Sequence, residues 1–189
     1  MNAEQLQKTL VASQYAEQVL NLYPIQLEQD YAEDQFLCAL STESIFQKVQ
    51  AAVAEISDEQ AWMKTLRILR AKLMFRWIWQ DANQLTDVVT LTRELSDFAD
   101  ASICAAKAFA RAPLIAKHGE PIGYSGQVQD LIVIGMGKLG AQELNLSSDI
   151  DLIFAFDEQG ETNGRKCIDV QQFCILWGQK LIYLLDHIS

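Results

Sequence analysis

The first 117 residues of this 189-residue chain contain no glycine, and Pro24 is the only proline before Pro113. Glycine and proline are the strongest breakers of regular structure, so their scarcity indicates a long helical region. Apolar residues recur there at helical spacing, and side chains suited to capping, such as Thr42 and Ser57 or Asp58, precede two of the apolar runs. The pattern predicts four helices, over 4–22, 43–56, 58–80 and 86–111.

Long apolar runs and closely spaced cysteines are also missing. No stretch approaches the roughly 20 apolar residues that a membrane helix needs, and the first residues lack the positive charge and apolar run of a signal peptide. The four cysteines form no Cys-x-x-Cys pair, which favours reduced thiols over zinc ligands or disulfides. These absences predict a cytoplasmic protein that does not bind membranes.

Basic side chains are outnumbered by acidic ones. The chain carries 15 Lys and Arg against 25 Asp and Glu, a formal net charge of −10. This charge argues against a protein that coats nucleic acid or an anionic membrane, because both would repel it. Half of the residues are hydrophobic, which is enough for a core in one or two domains.

Glycine becomes frequent after residue 117. Three glycines and a proline interrupt residues 118–129, which we predict to be a loop. The elements predicted beyond it are a strand at 130–135, a turn and short helix at 136–146, a strand at 151–156, a polar connection at 157–166 and a helix at 170–186 capped by Asp169. We therefore expect an α+β chain with a helical region at 1–117 and a strand-turn-helix-strand-helix region at 118–189.

Two aspartates open the second predicted strand. Asp149 and Asp151 are two residues apart, and such residues point to the same face of a strand. Two neighbouring carboxylates repel each other unless a cation lies between them. Mg²⁺ is the usual cation, held by one or two carboxylates and by substrate phosphates. Asp149 and Asp151 are therefore candidate metal ligands and catalytic residues, and the alternative is a capping pair that faces solvent.

A glycine-rich turn precedes these aspartates. Gly135, Gly137 and Gly140 lie between the first predicted strand and the short helix, where glycine lets the backbone approach a phosphate. Lys138 offers positive charge to a phosphate or is a solvated lysine at a helix start, and Ser148 bonds a phosphate or caps the local backbone. With the aspartates, this turn predicts metal-assisted phosphoryl or nucleotidyl transfer, in which these five residues bind the nucleotide or phosphate.

The same glycines also fit the dinucleotide-binding fingerprint. Gly135-x-Gly137-x-x-Gly140 follows a predicted strand, and Asp157 would be the ribose-binding acid of such a Rossmann domain. The short helix, the aspartate pair and the long helical region before the motif argue against this alternative. The P-loop pattern fails because neither Ser nor Thr follows the lysine.

One segment of the chain closely resembles a known family. It runs from Gly135 to Phe154 as Gly-Met-Gly-Lys-Leu-Gly-Ala-Gln-Glu-Leu-Asn-Leu-Ser-Ser-Asp-Ile-Asp-Leu-Ile-Phe. This string is similar to the glutamine synthetase adenylyltransferase/adenylyl-removing enzymes, of the nucleotidyltransferase superfamily shared with DNA polymerase beta. The resemblance implies a helical bundle followed by a partial polymerase beta-like domain with a truncated mixed sheet. One departure is Ala141, where the family commonly has a second glycine.

The resemblance also implies a reaction and its partners. Family members carry two nucleotidyltransferase halves: one uses phosphate to remove AMP from a tyrosine of glutamine synthetase and releases ADP, and the other adds AMP from ATP. The initial methionine, the helical prefix and the sequence Glu143-Leu-Asn145 favour the adenylyl-removing half, with the adenylylating half as the alternative. The implied cofactor is Mg²⁺, and the implied partners are glutamine synthetase, ATP or ADP, phosphate and, for the full-length enzyme, the PII signalling protein. A non-catalytic helical docking module and a nucleotidyltransferase of small molecules stay open.

The superfamily usually needs a third carboxylate on a later strand, and no residue here fits that place. Two strands also cannot make an independently stable sheet. We therefore expect this chain to be the N-terminal piece of a longer enzyme, with the third carboxylate beyond Ser189. We expect the piece alone to be inactive or nearly so.

Overall fold

A computed structural model describes the chain at residues 1–32 and 36–186. Helices predominate within these residues, and the strands are short. The α+β class predicted from the sequence is confirmed. The expected mixed sheet is wrong, because the described strands form two separate two-stranded sheets and both are antiparallel. In the same part of the chain, no helix is long and apolar enough to span a membrane.

The chain divides into two compact units. The first unit comprises Met1–Phe98 and Gln142–Ser148, and the second comprises Ala99–Ala141 and Asp149–Ser189. The short stretch Gln142–Ser148 therefore belongs with the helices of the first unit, although the residues on both sides of it belong with the second.

The first unit is helical. Its helices are α1 (Ala3–Ala12), α2 (Gln14–Leu22), α3 (Pro24–Ala32), α4 (Thr42–Val53), α5 (Glu59–Ala82) and the first part of α6 (Val88–His118). The Asp58 side chain accepts from the Ala61 amide at 2.8 Å, so the predicted cap of α5 is confirmed. At α4 the cap is Ser41, which accepts from the Ser44 amide at 3.2 Å, in place of the predicted Thr42.

Two predicted helix boundaries are wrong and one helix was not predicted, each for a local reason. The helix predicted near the N-terminus is broken at Ser13, whose backbone is extended and whose side chain caps α2. The predicted end at Leu22 is confirmed, but Pro24 then begins α3, which was not predicted, because the first helical position needs no amide donor. α6 continues through Pro113 rather than ending near residue 111, since a proline removes only one bond from a long ladder.

An aromatic cluster forms part of the core of the first unit. The rings of Tyr31, Phe36, Phe75 and Trp79 lie against one another, with centroid distances from 5.5 to 6.4 Å. Phe75 and Trp79 are fully buried. Leu146, from the Gln142–Ser148 stretch, packs against the hydrophobic core cluster to which Phe36, Phe75 and Trp79 belong. The aromatic cluster therefore joins α3 to α5, and the wider hydrophobic core takes in a stretch that is distant in sequence.

The second unit contains the strands. Its elements after α6 are β1 (Pro121–Gly123), β2 (Ile132–Gly135), α7 (Gly137–Gly140), β3 (Leu152–Ala155), β4 (Gly160–Thr162) and α8 (Val170–Asp186). β1 pairs with β4, and β2 pairs with β3. The two strands predicted from the apolar pattern are confirmed as β2 and β3. β1 and β4 lie where a loop and a polar connection were predicted, because three-residue strands carry too little periodicity to be recognised.

α8 lies against β1 and β4 and approaches β3 at Phe154. The Asp169 carboxylate accepts from the Gln172 amide at 2.6 Å, so the predicted cap is confirmed. A Cβ on Gly178 would lie 3.3 Å from the Phe154 ring, which shows how closely the helix approaches β3. The buried side of α8 comprises Val170, Phe173, Cys174, Trp177, Gly178, Leu181 and Leu184.

The four cysteines are free thiols, as predicted, but their surroundings differ. Cys174 is buried and Cys38 is exposed. Burial, with a smaller contribution from Asp130, raises the pKa of Cys174 to about 11. Because the thiolate is the reacting form, we expect iodoacetamide to modify Cys174 much more slowly than Cys38 at about pH 8, with a rate that rises as the pH approaches 11. Peptide mass spectrometry after timed alkylation measures this, and equal rates for the two thiols would contradict it.

Candidate functional site

The glycine turn folds back on the end of β2. Gly137 has a φ of 54°, which favours glycine, and a Cβ there would meet nothing within 4 Å. Gly140 approaches the backbone of Gly135 so closely that a Cβ on Gly140 would lie 2.6 Å from the Gly135 carbonyl oxygen. The backbone conformation thus favours glycine at position 137, and the close approach to Gly135 requires glycine at position 140. The space next to Gly137 is open.

Asp151 lies directly beside this turn. The Met136 amide donates to the Asp151 carbonyl oxygen at 2.9 Å, which extends the β2–β3 ladder by one residue. Asp151 therefore shares a face of the sheet with Ile153, two residues further on. Ile153 is 48% exposed and its partner Ile134 is 46% exposed. Asp149 and Asp151 are themselves exposed, so Asp151 and the glycine turn meet on an open face of the sheet.

The residues before Asp149 form a tight turn. The Asn145 side-chain oxygen accepts from the Ser147 amide at 3.1 Å and from the Ser148 hydroxyl at 2.8 Å. Ser148 Oγ in turn accepts from the Asn145 amide at 3.1 Å. Ser148 therefore caps the local backbone, which is one of the two roles predicted for it. The other role, phosphate binding, stays a prediction. The short helix expected to reach residue 146 ends at Gly140, because the backbone takes a positive φ of 59° at Gln142, just after the C-cap.

The side chains of Asp149, Asp151 and Lys138 have the chemical groups that a site for magnesium and phosphate needs. Lys138 is exposed and forms no ion pair within the part of the chain that the structure describes. Among residues 1–32 and 36–186, no three Asp, Glu, His or Cys side chains are grouped to hold a metal. Asp149 and Asp151 supply carboxylate oxygens, the donors that Mg²⁺ prefers when phosphates and water complete its shell. The metal-binding role of the pair stays a prediction.

One contact of the Gln142–Ser148 stretch carries no sequence signal. The Leu144 amide donates to Ser96 Oγ at 3.2 Å, across a separation of 48 residues. Ser96 lies inside α6 and is fully buried. A serine within a helical pattern indicates neither a partner nor a role, so sequence analysis missed it.

The dinucleotide-binding alternative is wrong. β2 and β3 are antiparallel, whereas a Rossmann unit requires two parallel strands joined by a crossover helix. α7 has 4 residues, too few for such a crossover.

Comparison with known proteins identifies the family. The family model described as glutamate-ammonia ligase adenylyltransferase matches residues 3–189. Over its full length the chain is 78% identical to a bifunctional glutamine synthetase adenylyltransferase/adenylyl-removing enzyme of Acinetobacter baylyi, of which it covers 20%. Proteins of the same name are 45% identical over 140 residues in Thioalkalivibrio sulfidiphilus, with 74% of this chain and 14% of that protein covered, and 44% identical over 144 residues in Pseudomonas aeruginosa, with 75% and 15% covered.

The chain thus spans at most about one fifth of the length of these relatives. The family model nevertheless covers nearly all of the chain, and the match to the Acinetobacter baylyi protein covers all of it. The chain therefore belongs to the glutamate-ammonia ligase adenylyltransferase family.

Proposed function

We propose that this chain supplies the phosphate- and metal-binding part of a Mg²⁺-dependent nucleotidyltransferase that removes AMP from glutamine synthetase. The observation that carries the proposal is the hydrogen bond from the Met136 amide to the Asp151 carbonyl oxygen. It holds the glycine turn beside a candidate metal ligand, so one bound phosphate could meet both. The names of the relatives, which combine adenylyltransferase and adenylyl-removing activities, support this class of reaction.

In the proposed reaction an oxygen of inorganic phosphate attacks the phosphorus of the tyrosine-linked AMP. The bond from phosphorus to the tyrosine oxygen breaks, the tyrosine takes up a proton, and ADP leaves. Such a transfer depends on positioning and charge stabilisation more than on a covalent nucleophile. The open backbone at Gly137 gives the phosphate room, and Lys138 adds positive charge nearby. Mg²⁺ held by Asp149 and Asp151 would neutralise and align the phosphate oxygens.

The proposed direction of the reaction is removal of AMP rather than its addition. The helical region before the motif and the sequence Glu143-Leu-Asn145 favour the adenylyl-removing half, by resemblance to the family. We further propose a polymerase beta-like domain that a later segment completes with a third carboxylate, a cytoplasmic location, and regulation of the longer protein by the PII signalling protein.

A chimeric enzyme tests the function. In it, this chain replaces the matching segment of the Acinetobacter baylyi relative. Incubated with adenylylated glutamine synthetase, Mg²⁺ and phosphate in the absence of ATP, the chimeric enzyme should release ADP, and the isolated chain should release little or none. ADP is measured by a coupled assay, and omission of phosphate is the control.

The double variant Asp149→Asn/Asp151→Asn of the chimeric enzyme decides which reaction belongs to this chain. Loss of ADP release with AMP transfer from ATP retained would support the adenylyl-removing half. Loss of AMP transfer with ADP release retained would assign the chain to the adenylylating half instead. Retention of both activities would overturn the proposed chemistry.

A further inference from the structure

We propose that Leu139 is a positioning residue for the glycine turn, and that position 135 is a glycine because it makes room for the Leu139 side chain. The inference rests on the proposed function, since it concerns the turn that would hold the phosphate beside Asp151. It gives Gly135 a packing role in place of the phosphate contact predicted from the sequence. All of these residues belong to the second unit.

Leu139 fills the space next to Gly135 that a side chain would need. A Cβ on Gly135 would lie 2.9 Å from both Cγ and Cδ2 of Leu139 and 3.5 Å from its Cβ. Contact between carbon atoms is optimal at about 3.5–4.0 Å, so an alanine at position 135 would displace the leucine. Gly135 lies in β2 without a positive φ, so its backbone conformation does not by itself require glycine. The missing Cβ thus admits a leucine side chain, which blocks a phosphate from the same side.

Leu139 is also the anchor of the turn. It is 2% exposed, whereas the residues on both sides of it, Lys138 and Gly140, are exposed. α7 has 4 residues, and so short a helix is not stable without packing. The Gly140 amide donates to the Met136 carbonyl oxygen at 3.2 Å, a bond that stays within the turn. Packing of Leu139 on Gly135 therefore holds the turn against the end of β2.

This anchor connects Lys138 to Asp151. Lys138 directly precedes Leu139 in α7, so burial of the leucine keeps the lysine on the solvent side. β2, which ends at Gly135, pairs with β3, and the Met136 amide extends the ladder to the Asp151 carbonyl oxygen. The leucine contact and the ladder together set the spacing between the lysine and the aspartate. A phosphate that must meet both groups depends on that spacing.

The test compares the effect of Gly135→Ala in two backgrounds of the chimeric enzyme. With Leu139 present, we expect the KM for phosphate to rise by up to about 10²-fold, the cost of a misplacement of about 1 Å. Leu139→Ala should itself raise this KM, because it removes the anchor. Adding Gly135→Ala to Leu139→Ala should raise it no further, since the nearest atom left, the Cβ at position 139, is 3.5 Å away. ADP release at varied phosphate concentration measures the KM.

A second Michaelis constant distinguishes positioning from a general loss of structure. Less folded enzyme lowers kcat and leaves each KM unchanged. The KM for adenylylated glutamine synthetase should therefore stay the same in these variants while the KM for phosphate rises. Leu139→Met keeps nearly the same volume, so it should recover most of the loss seen in Leu139→Ala.

Gly140→Ala is the matched control. A Cβ on Gly140 would lie 2.6 Å from the Gly135 carbonyl oxygen, a backbone atom that Leu139→Ala does not remove. We therefore expect Gly140→Ala to raise the KM for phosphate by the same factor whether leucine or alanine stands at position 139.

Nuclear magnetic resonance on the 189-residue chain gives a measurement that needs no activity. The amide order parameters of Lys138 and Gly140 should fall from about 0.85 towards 0.6 in Leu139→Ala and in Gly135→Ala, as the turn loses its anchor. The two substitutions combined should lower them no further than Leu139→Ala alone.

The outcomes separate this inference from the proposed function. An equal rise in the KM for phosphate by Gly135→Ala in both backgrounds would overturn the inference, since the phosphate itself would then need the glycine. An unchanged KM for phosphate in Leu139→Ala would also overturn it. If the chain proves to belong to the adenylylating half, the KM for ATP replaces that for phosphate. Retention of both activities in Asp149→Asn/Asp151→Asn would reject the proposed function alone, and the order parameters would still decide whether Leu139 and Gly135 act together.

Discussion

Replacing Glu94 with alanine is expected to lower the free energy of unfolding of the first unit by about 3–5 kcal/mol. Glu94 Oε2 accepts from Arg76 Nη1 at 2.6 Å and from Trp77 Nε1 at 2.7 Å, and Oε1 accepts from the Leu40 amide at 2.8 Å. The Arg76 and Glu94 side chains are 4% and 3% exposed. The substitution would remove the carboxylate that faces the buried Arg76 guanidinium, and it would take the acceptor from the buried Trp77 indole N–H and from the part-buried Leu40 amide.

Urea denaturation followed by tryptophan fluorescence measures this loss. Trp62, Trp77 and Trp79 lie in the first unit and only Trp177 lies in the second, so the signal reports mainly on the first unit. Glu94→Gln keeps the shape and part of the hydrogen bonding, so a smaller loss is expected, and this variant serves if Glu94→Ala does not fold.

Glu4→Gln is the comparison for an exposed pair. Glu4 forms an ion pair with Lys8 at 2.9 Å, and the two side chains are 77% and 57% exposed. Water screens this pair, so its loss should leave the urea midpoint unchanged. The same small effect for Glu94→Ala would show that the buried ion pair does not stabilise the first unit.

Local signals in the sequence predict local structure well in this chain. Asp58 and Asp169 each precede an apolar run of helical period, and each caps a helix where predicted, because a cap needs only residues two or three positions away. The break at Ser13 shows the limit. The apolar period continues on both sides of it, so the pattern alone does not reveal that the chain stops one helix and caps another.

Contacts between distant residues had no comparable signal. β1 and β4 are each three residues long. They pair with each other although β2, α7 and β3 lie between them in the sequence. The partners Arg76 and Glu94 lie 18 residues apart on different helices, and Ser96 and Leu144 lie 48 residues apart. The glycine turn and the aspartates were recognisable because all of them lie within one continuous stretch of fewer than twenty residues from Gly135 to Asp151.

Replacing Asp151 with asparagine in the chimeric enzyme is expected to reduce ADP release by about 10²- to 10³-fold or more. Asparagine keeps the size of the side chain but removes the charge that a divalent cation needs. The backbone bond from Met136 to Asp151 involves main-chain atoms only, so the turn should keep its geometry. Asp149→Asn should have an effect of similar size, and circular dichroism should show both variants folded.

Asp157→Asn is the control that distinguishes loss of a metal ligand from a general effect of removing one negative charge. Asp157 is exposed and lies just beyond the opposite end of β3 from Asp151, so it has the same charge but is not beside the glycine turn. We expect ADP release by Asp157→Asn to match that of the unsubstituted chimeric enzyme. Equal losses in Asp157→Asn and Asp151→Asn would mean that overall negative charge, and not a metal held beside the glycine turn, supports the reaction. Full activity in Asp151→Asn would place the metal ligands elsewhere in the longer protein.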